Sequence, residues 1–174
     1  MTKKTDPKGL TRRQLLSRMA ATGTLVAIGA GFVAAPDAAW ALQVKVVRPH
    51  TMATLIQMAR DIYPHDRVAD EFYAIAVKGY DSKPKKDLVE KGVGQLDAMA
   101  KAKGHAGYVD VGWEKDRVKL LQKMENSSFF QTVRGGLVTG LYNQKAVWPI
   151  FGYEGSSFEH GGYINRGFND INWL

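Results

Sequence analysis

A chain of 174 residues, 45% hydrophobic and 24% charged, has the composition of one ordinary globular domain. This composition excludes disordered and collagen-like proteins, and the length excludes a large multidomain protein. The formal charge of +7 is concentrated at one end, because residues 1–41 hold six of the 24 bases and only two of the 17 acids, which leaves +3 on the other 133 residues. A body so close to neutral gives no reason to expect nucleic-acid binding.

The chain contains no cysteine. Disulfides, thiolate zinc sites, iron–sulfur clusters, a cysteine nucleophile and covalent attachment of a c-type haem are therefore excluded. The sequence also lacks the G-x-G-x-x-G turn of dinucleotide-binding folds and the G-x-S-x-G turn of serine hydrolases. We therefore expect no cofactor and no catalytic residue in this chain.

Residues 1–41 have the pattern of an export signal. Residues 1–18 are polar and basic, residues 19–35 are apolar and uncharged, and Ala39 and Ala41 occupy the two positions that a signal peptidase reads. We predict cleavage after Ala41. The alternative is that the apolar run, which is at the lower limit of length for crossing a bilayer, is kept as an anchor.

The arginine pair Arg12 and Arg13 lies in the basic part of this signal, between Thr11 and Gln14-Leu15-Leu16. This arrangement resembles the twin-arginine signal, which directs chains that have already folded to the twin-arginine translocase. An ordinary secretory signal with two chance arginines is the alternative. Both interpretations predict a periplasmic protein.

Residues 42–142 show the apolar spacing of amphipathic helices and no sustained two-residue alternation. We therefore predict an all-α fold, a small bundle of about five helices, with the glycine-rich residues 104–112 as a surface loop or short turn. The predicted core positions of the five helices are Met52, Leu55, Ile56, Ala59 and Ile62; Val68, Phe72, Ile75 and Ala76; Val89, Val93, Leu96 and Ala100; Trp113, Leu120, Leu121 and Met124; Phe129, Phe130, Val133, Leu137 and Leu141.

The fifth predicted helix contains Gly135, Gly136 and Gly140, although each glycine costs about 1 kcal/mol relative to alanine inside a helix. Gly136 and Gly140 lie four residues apart, on one face, where they would let another backbone approach closely. The alternative is a helix that breaks at Gly135 and restarts.

Residues 143–174 form a different kind of segment, an irregular C-terminal strap rich in aromatic residues and glycine, with only a brief helical turn near its start. This much aromatic surface favours a strap that lies across a partner, and a strap that completes its own bundle is the alternative. The candidate interface residues are Arg134, Trp148, Tyr153, Tyr163 and Trp173.

Arg134 is included because we expect it near the core face of the fifth helix, where a guanidinium needs a carboxylate. Asp170 or Glu154 of the strap could supply it, which would make Arg134 structural. A carboxylate on another subunit would make it an interface residue.

No metal site is predicted, because the four histidines are far apart in the sequence. The best local cluster is His65 with Asp61 and Asp66, at the end of the first predicted helix. We interpret this cluster as solvated helix-end residues rather than as ligands.

The leader and three motifs of the second half together resemble the gluconate 2-dehydrogenase subunit 3 family. The motifs are Ser128-Phe129-Phe130 with Arg134 and Gly140-Leu141-Tyr142; Ala146-Val147-Trp148 with Gly152-Tyr153-Glu154-Gly155; and a Gly161-Gly162-Tyr163 strap that runs to Asp170-Ile171-Asn172-Trp173. Residues 42–110 share only the helical pattern.

The resemblance implies a non-catalytic small subunit of a periplasmic flavin-dependent dehydrogenase complex. Its partner would be a large subunit of the glucose–methanol–choline oxidoreductase class, which carries FAD, lacks its own signal and crosses the membrane on this chain's leader. A cytochrome c subunit would accept the electrons, and membrane association would come only from partners or an uncleaved leader. The alternative from the residues themselves is a free-standing periplasmic binding protein that stacks a sugar on the strap.

Overall fold

A computed structural model describes residues 44–165 and residue 168. Five α-helices follow in order, and no strand occurs in this part of the chain, so the predicted all-α fold of five helices is confirmed. The helices are α1 (Pro49–Ile62), α2 (Asp70–Val77), α3 (Lys83–Lys101), α4 (Glu114–Gln122) and α5 (Ser128–Tyr142). Short 3₁₀ turns occur at Lys78–Tyr80, Tyr108–Asp110, Trp148–Phe151 and Ser157–His160.

Helix α1 is the central helix, because it contacts each of the other four. Its sequence has no Asp, Glu, Lys or Arg between Pro49 and Ala59, so the helix can be buried on nearly all sides. The apolar stripe predicted for α1 lies in the core, as do those of α3 and α5, except that Ile62 and Phe130 are only partly buried.

The core faces predicted for α2 and α4 were partly wrong. In α2 the buried residues are Tyr73, Ala74 and Val77, whereas Ile75 is 45% exposed. The prediction counted the 3.6-residue period from Val68, which lies before the helix begins at Asp70. It therefore assigned the wrong side of the helix to the core. Trp113 is 74% exposed because it precedes α4 in an extended conformation, where helical periodicity does not apply.

Helix α5 continues through its glycines, so the alternative of a break at Gly135 does not occur. A Cβ on Gly140 would lie 2.9 Å from the Ala76 carbonyl oxygen, and one on Gly136 would lie 2.2 Å from the Tyr80 hydroxyl. The close approach of another backbone is confirmed at Gly140, where α5 packs directly on α2, whereas Gly136 makes room for the Tyr80 side chain of the turn after α2. Gly135 faces open space.

Alanine substitutions at Gly140 and Gly135 are expected to change stability in opposite directions. Gly140→Ala gains helix propensity but pushes the rigid backbone at Ala76 away, and we expect a net loss of about 1–2 kcal/mol. Gly135→Ala meets nothing within 4 Å and should gain about 0.5–1 kcal/mol. Urea denaturation of both variants measures the difference, and equal effects would contradict the packing described here.

No helix within the described part of the chain combines the length and the apolar character needed to cross a membrane.

Candidate functional site

The first part of the strap, residues 143–151, packs on the helical body. Val147 is fully buried in the core, and the Trp148 indole Nε1 donates a hydrogen bond to the Tyr142 carbonyl oxygen at 2.8 Å. The Phe151 ring lies edge-on to His65 at 4.9 Å between centroids. This part of the strap therefore completes its own bundle.

The second part, residues 152–165 with Phe168, is called the distal strap below. None of these residues is buried. Five large apolar side chains lie exposed there, from 53% to 90%: Tyr153, Phe158, Tyr163, Ile164 and Phe168. Four glycines with positive φ, at positions 152, 155, 161 and 162, let the backbone turn repeatedly without forming an α-helix. The alternative of a strap that completes its own bundle therefore holds for residues 143–151, while contact of the distal strap with a partner stays a prediction.

Few contacts attach the distal strap to the body. Tyr153 lies edge-on to the Trp148 ring at 5.1 Å, and Glu159 accepts a hydrogen bond from Lys145 Nζ at 3.3 Å. Both groups of this ion pair are more than half exposed, so the pair contributes little to stability. The exposed aromatic residues thus belong to a segment that packs only weakly on the helical body.

The candidate interface residues do not lie in one environment. Tyr153 and Tyr163 are exposed in the distal strap, whereas Trp148 is partly buried against the body. Arg134 is exposed on α5, so placing it near the core face was wrong; it follows the buried Val133, and a step of about 100° turns it towards solvent. Trp173 lies outside the described residues, as do Asp170, Arg12, Arg13, Ala39 and Ala41.

A buried ion pair joins α1 to α4. Arg117 donates from Nε to Asp61 Oδ2 at 2.7 Å and from Nη2 to Asp61 Oδ1 at 2.8 Å. The Tyr108 hydroxyl donates to Asp61 Oδ2 at 2.7 Å. The Asp61 side chain is only 2% exposed, so its interpretation as a solvated helix end was wrong. Sequence reasoning missed the pair because its members lie 56 positions apart and only the tertiary fold brings them together.

Burial and the neighbouring Asp61 carboxylate together raise the pKa of Tyr108 well above its usual value of 10. Burial by itself would lower the pKa of Arg117, but the hydrogen bonds and charge of Asp61 outweigh it, and that pKa is raised. A phenol with a raised folded-state pKa contributes stability that is complete below the unfolded-state pKa, about pH 10, and is lost as the pH rises above it.

A cleft of about 260 Å³ lies beside this ion pair. The ionisable side chains that line it are Arg60, Asp61, His65, Asp66, Asp70, Glu114 and Arg117. Two ion pairs lie in the cleft, Arg60 with Asp70 and Arg117 with Asp61. His65 Nε2 lies 2.7 Å from the hydroxyl of Tyr142, a residue outside the lining. Nor does any cluster of three or more potential metal ligands occur in the described part of the chain. The cleft is therefore an ion-paired joint between helices.

Comparisons of the chain with protein-family models, with curated proteins and with solved structures found no match. The candidate functional site of this chain is the distal strap.

Proposed function

We propose that this chain is the non-catalytic small subunit of a periplasmic flavin-dependent dehydrogenase, which binds the catalytic subunit and is exported with it. The observation that carries the proposal is the distal strap, where five large apolar side chains are exposed to solvent among 15 described residues. Tyrosine and phenylalanine on such a surface bury a large area at low entropic cost when a partner covers them.

The leader supports the export part of this proposal. Arg12 and Arg13 match the signal of a route that carries folded chains, and folding before export is useful when a partner must be bound in the cytoplasm. The helical body forms a buried core without using the distal strap. A chain built in this way is suited to present the strap to a partner while both are still in the cytoplasm.

The proposal assigns the oxidation of the substrate to the partner subunit, and this agrees with the way in which the charged residues of the cleft bind one another. Asp61 and Arg117 satisfy each other, with Tyr108 as a third member, so neither is left to act on a substrate. In the proposed complex FAD belongs to the large subunit and a cytochrome c subunit accepts the electrons. The substrate would be a sugar, a polyol or a sugar acid bound in the large subunit.

The proposal is tested by changing the arginine pair in the cell that makes the complex. We expect Arg12→Lys with Arg13→Lys to leave both this chain and a flavin oxidoreductase encoded beside it in the cytoplasm. Periplasmic dehydrogenase activity with an artificial electron acceptor should fall at least tenfold, because lysine keeps the charge but loses the planar fork of the guanidinium.

The matched control is Arg18→Lys, a leader arginine outside the pair, which should leave export unchanged. Normal periplasmic activity of the oxidoreductase in the doubly substituted strain would refute the proposal. If no such oxidoreductase is encoded nearby and the exported chain binds a free sugar with a change in tyrosine fluorescence, the free-standing binding protein is the correct alternative.

A further inference from the structure

Outside the strap, Trp113 is the one large aromatic side chain that is exposed in the described part of the chain. It is 74% exposed, directly before α4 begins. The cleft is lined by the residues on either side, Gly112 and Glu114, and not by Trp113 itself. Neither the cleft nor the proposed function therefore uses this side chain.

Lysines from two helices surround Trp113. Lys115 Nζ lies 5.9 Å from the centroid of the Trp113 ring. Lys119, one turn further along α4, donates from Nζ to Asp116 Oδ1 at 2.9 Å. This hydrogen bond, together with the charges of Lys119, Lys115 and Lys103, lowers the pKa of Asp116 below its usual value. Lys103, which follows the end of α3, therefore lies on the same surface as the lysines of α4.

The lysines of α4 follow one another at four-residue intervals, at positions 115, 119 and 123, so they lie along one side of the helix. All three are exposed, as is Lys103. Like charges one turn apart repel and destabilise a helix. Within the described part of the chain, only Lys119 among these four lysines forms an ion pair, with Asp116. The name lysine face is used below for Lys103, Trp113, Lys115, Lys119 and Lys123.

The composition of the lysine face favours a lipid surface over a protein partner. Lysine is depleted in the cores of protein interfaces, and its flexible, strongly hydrated ammonium suits mobile phosphate groups. Tryptophan is enriched in the headgroup region of bilayers, and clusters of four or more basic residues bind anionic lipids. With Asp116 included, the four lysines give this surface a net charge of +3. Its charge is thus complementary to an anionic membrane.

We propose that the lysine face binds the surface of a membrane that contains anionic phospholipids, with Trp113 in the headgroup region and the four lysines at the lipid phosphates. This inference goes beyond the proposed function, in which membrane association comes only from partners or an uncleaved leader. Helix α4 packs on α1 and α3, whereas the distal strap follows α5. The contact with lipid and the contact with a protein partner therefore use different elements of the chain.

The test measures sedimentation of the chain with vesicles of phosphatidylcholine, either alone or mixed with phosphatidylglycerol. It uses the full-length chain and a second chain that begins at Leu42. The shorter chain lacks the basic leader, and it keeps the fold because the buried core of the described residues extends from Val47 to Val147. Far-ultraviolet circular dichroism checks that each variant is folded.

Two triple variants remove the same charge from different surfaces. The first carries Lys103→Gln, Lys115→Gln and Lys119→Gln. The matched control carries Lys83→Gln, Lys85→Gln and Lys86→Gln, three exposed lysines in the first turn of α3. We expect the first variant of the shorter chain to bind vesicles with phosphatidylglycerol about tenfold more weakly than the parent, and the control to lose less than about twofold. High salt should weaken binding of the parent, because it screens exposed charges.

Trp113→Ser tests the aromatic part of the face. Lipids brominated on their acyl chains quench the fluorescence of an indole that contacts them. The parent should therefore be quenched on binding, whereas Trp113→Ser, which keeps Trp148 and Trp173, should not be quenched and should bind about fivefold more weakly.

The proposal is overturned if vesicles with phosphatidylglycerol bind the shorter chain no better than phosphatidylcholine alone. It is also overturned if both triple variants lose binding equally, since net charge would then be enough, or if the quenching persists in Trp113→Ser. A first triple variant that binds vesicles like the parent but no longer co-purifies with a flavoprotein would show a protein interface instead. The vesicle assay contains neither translocase nor partner, so its result is independent of the export experiment.

Discussion

Removal of the distal strap is expected to abolish binding of the proposed flavin-containing partner and to leave the helical body folded. The change is a stop after Gly152, which deletes Tyr153, Phe158, Tyr163, Ile164 and Phe168 together with the rest of the chain end. Interface aromatic residues that act as anchors contribute about 2 kcal/mol or more each, so losing two or three of them should weaken binding at least about a hundredfold.

The stop is placed after Gly152 so that the truncated chain keeps the part of the strap that packs in the core. A stop after Tyr142, the end of the last helix, would also remove Val147, which is fully buried, and would open the core. A stop after Gly152 keeps residues 143–151 in place, and all five α-helices remain. Far-ultraviolet circular dichroism should therefore change little, while the flavoprotein should no longer co-purify with a tagged chain.

A finer version replaces only three side chains, with Tyr153→Ser, Phe158→Ser and Tyr163→Ser in one variant. The matched control is Val138→Ser, which changes an exposed apolar side chain on α5 that lies outside the strap. A folded truncated chain that binds the flavoprotein with unchanged affinity would contradict the interface role of the distal strap.

Loss of the buried carboxylate Asp61 is expected to cost a large part of the stability of the body. Asp61→Ala leaves the Arg117 guanidinium, whose side chain is 13% exposed, without its counter-charge and the Tyr108 hydroxyl without its acceptor. Breaking a buried ion pair by removing one partner costs about 3–5 kcal/mol. Since domains are stable by only about 5–15 kcal/mol, the variant should unfold at a much lower urea concentration than the parent.

Two further variants show whether the loss of stability in Asp61→Ala comes from the unpaired buried charge or from removing any carboxylate. The exposed carboxylate Asp87 provides the control, because Asp87→Ala should change stability by no more than about 0.5 kcal/mol. The double variant Asp61→Leu with Arg117→Met removes both charges and should regain a large part of the loss. A loss below about 1 kcal/mol in Asp61→Ala would show that the ion pair does not hold α1 and α4 together.

The five helices and much of the core could be predicted because their signal is local. The predicted stripes of α1, α3 and α5 lie in the core apart from two partly buried positions, since helices of 14 to 19 residues repeat the 3.6-residue period several times. Helix α2 has only eight residues, and its true core residue Tyr73 was missed. A short helix offers too few turns to correct an error in its starting point.

The sequence predicted the role of the α5 glycines and of the strap only in part, because spacing and composition are local and the groups that pack against them are distant in the chain. The four-residue spacing of Gly136 and Gly140 is a local fact, and it was enough to predict one small-residue face. That Ala76 and Tyr80 would be the groups packed there could not be predicted, because both belong to another element. Composition likewise predicted an aromatic strap, while its division into a packed part and an exposed part depends on contacts with the body.

The sequence by itself determined the fold class, the approximate extent of the helices and the aromatic character of the C-terminal strap, because each is expressed in neighbouring residues through periodicity or composition. Only the tertiary structure decided that Asp61 binds Arg117 and that Asp81 binds the amides of residues 45 to 47. The partners in these contacts lie 34 to 56 positions apart, and a carboxylate looks the same in the sequence whether it binds water or a distant donor. Burial, which is set by the packing of the whole chain, makes the difference.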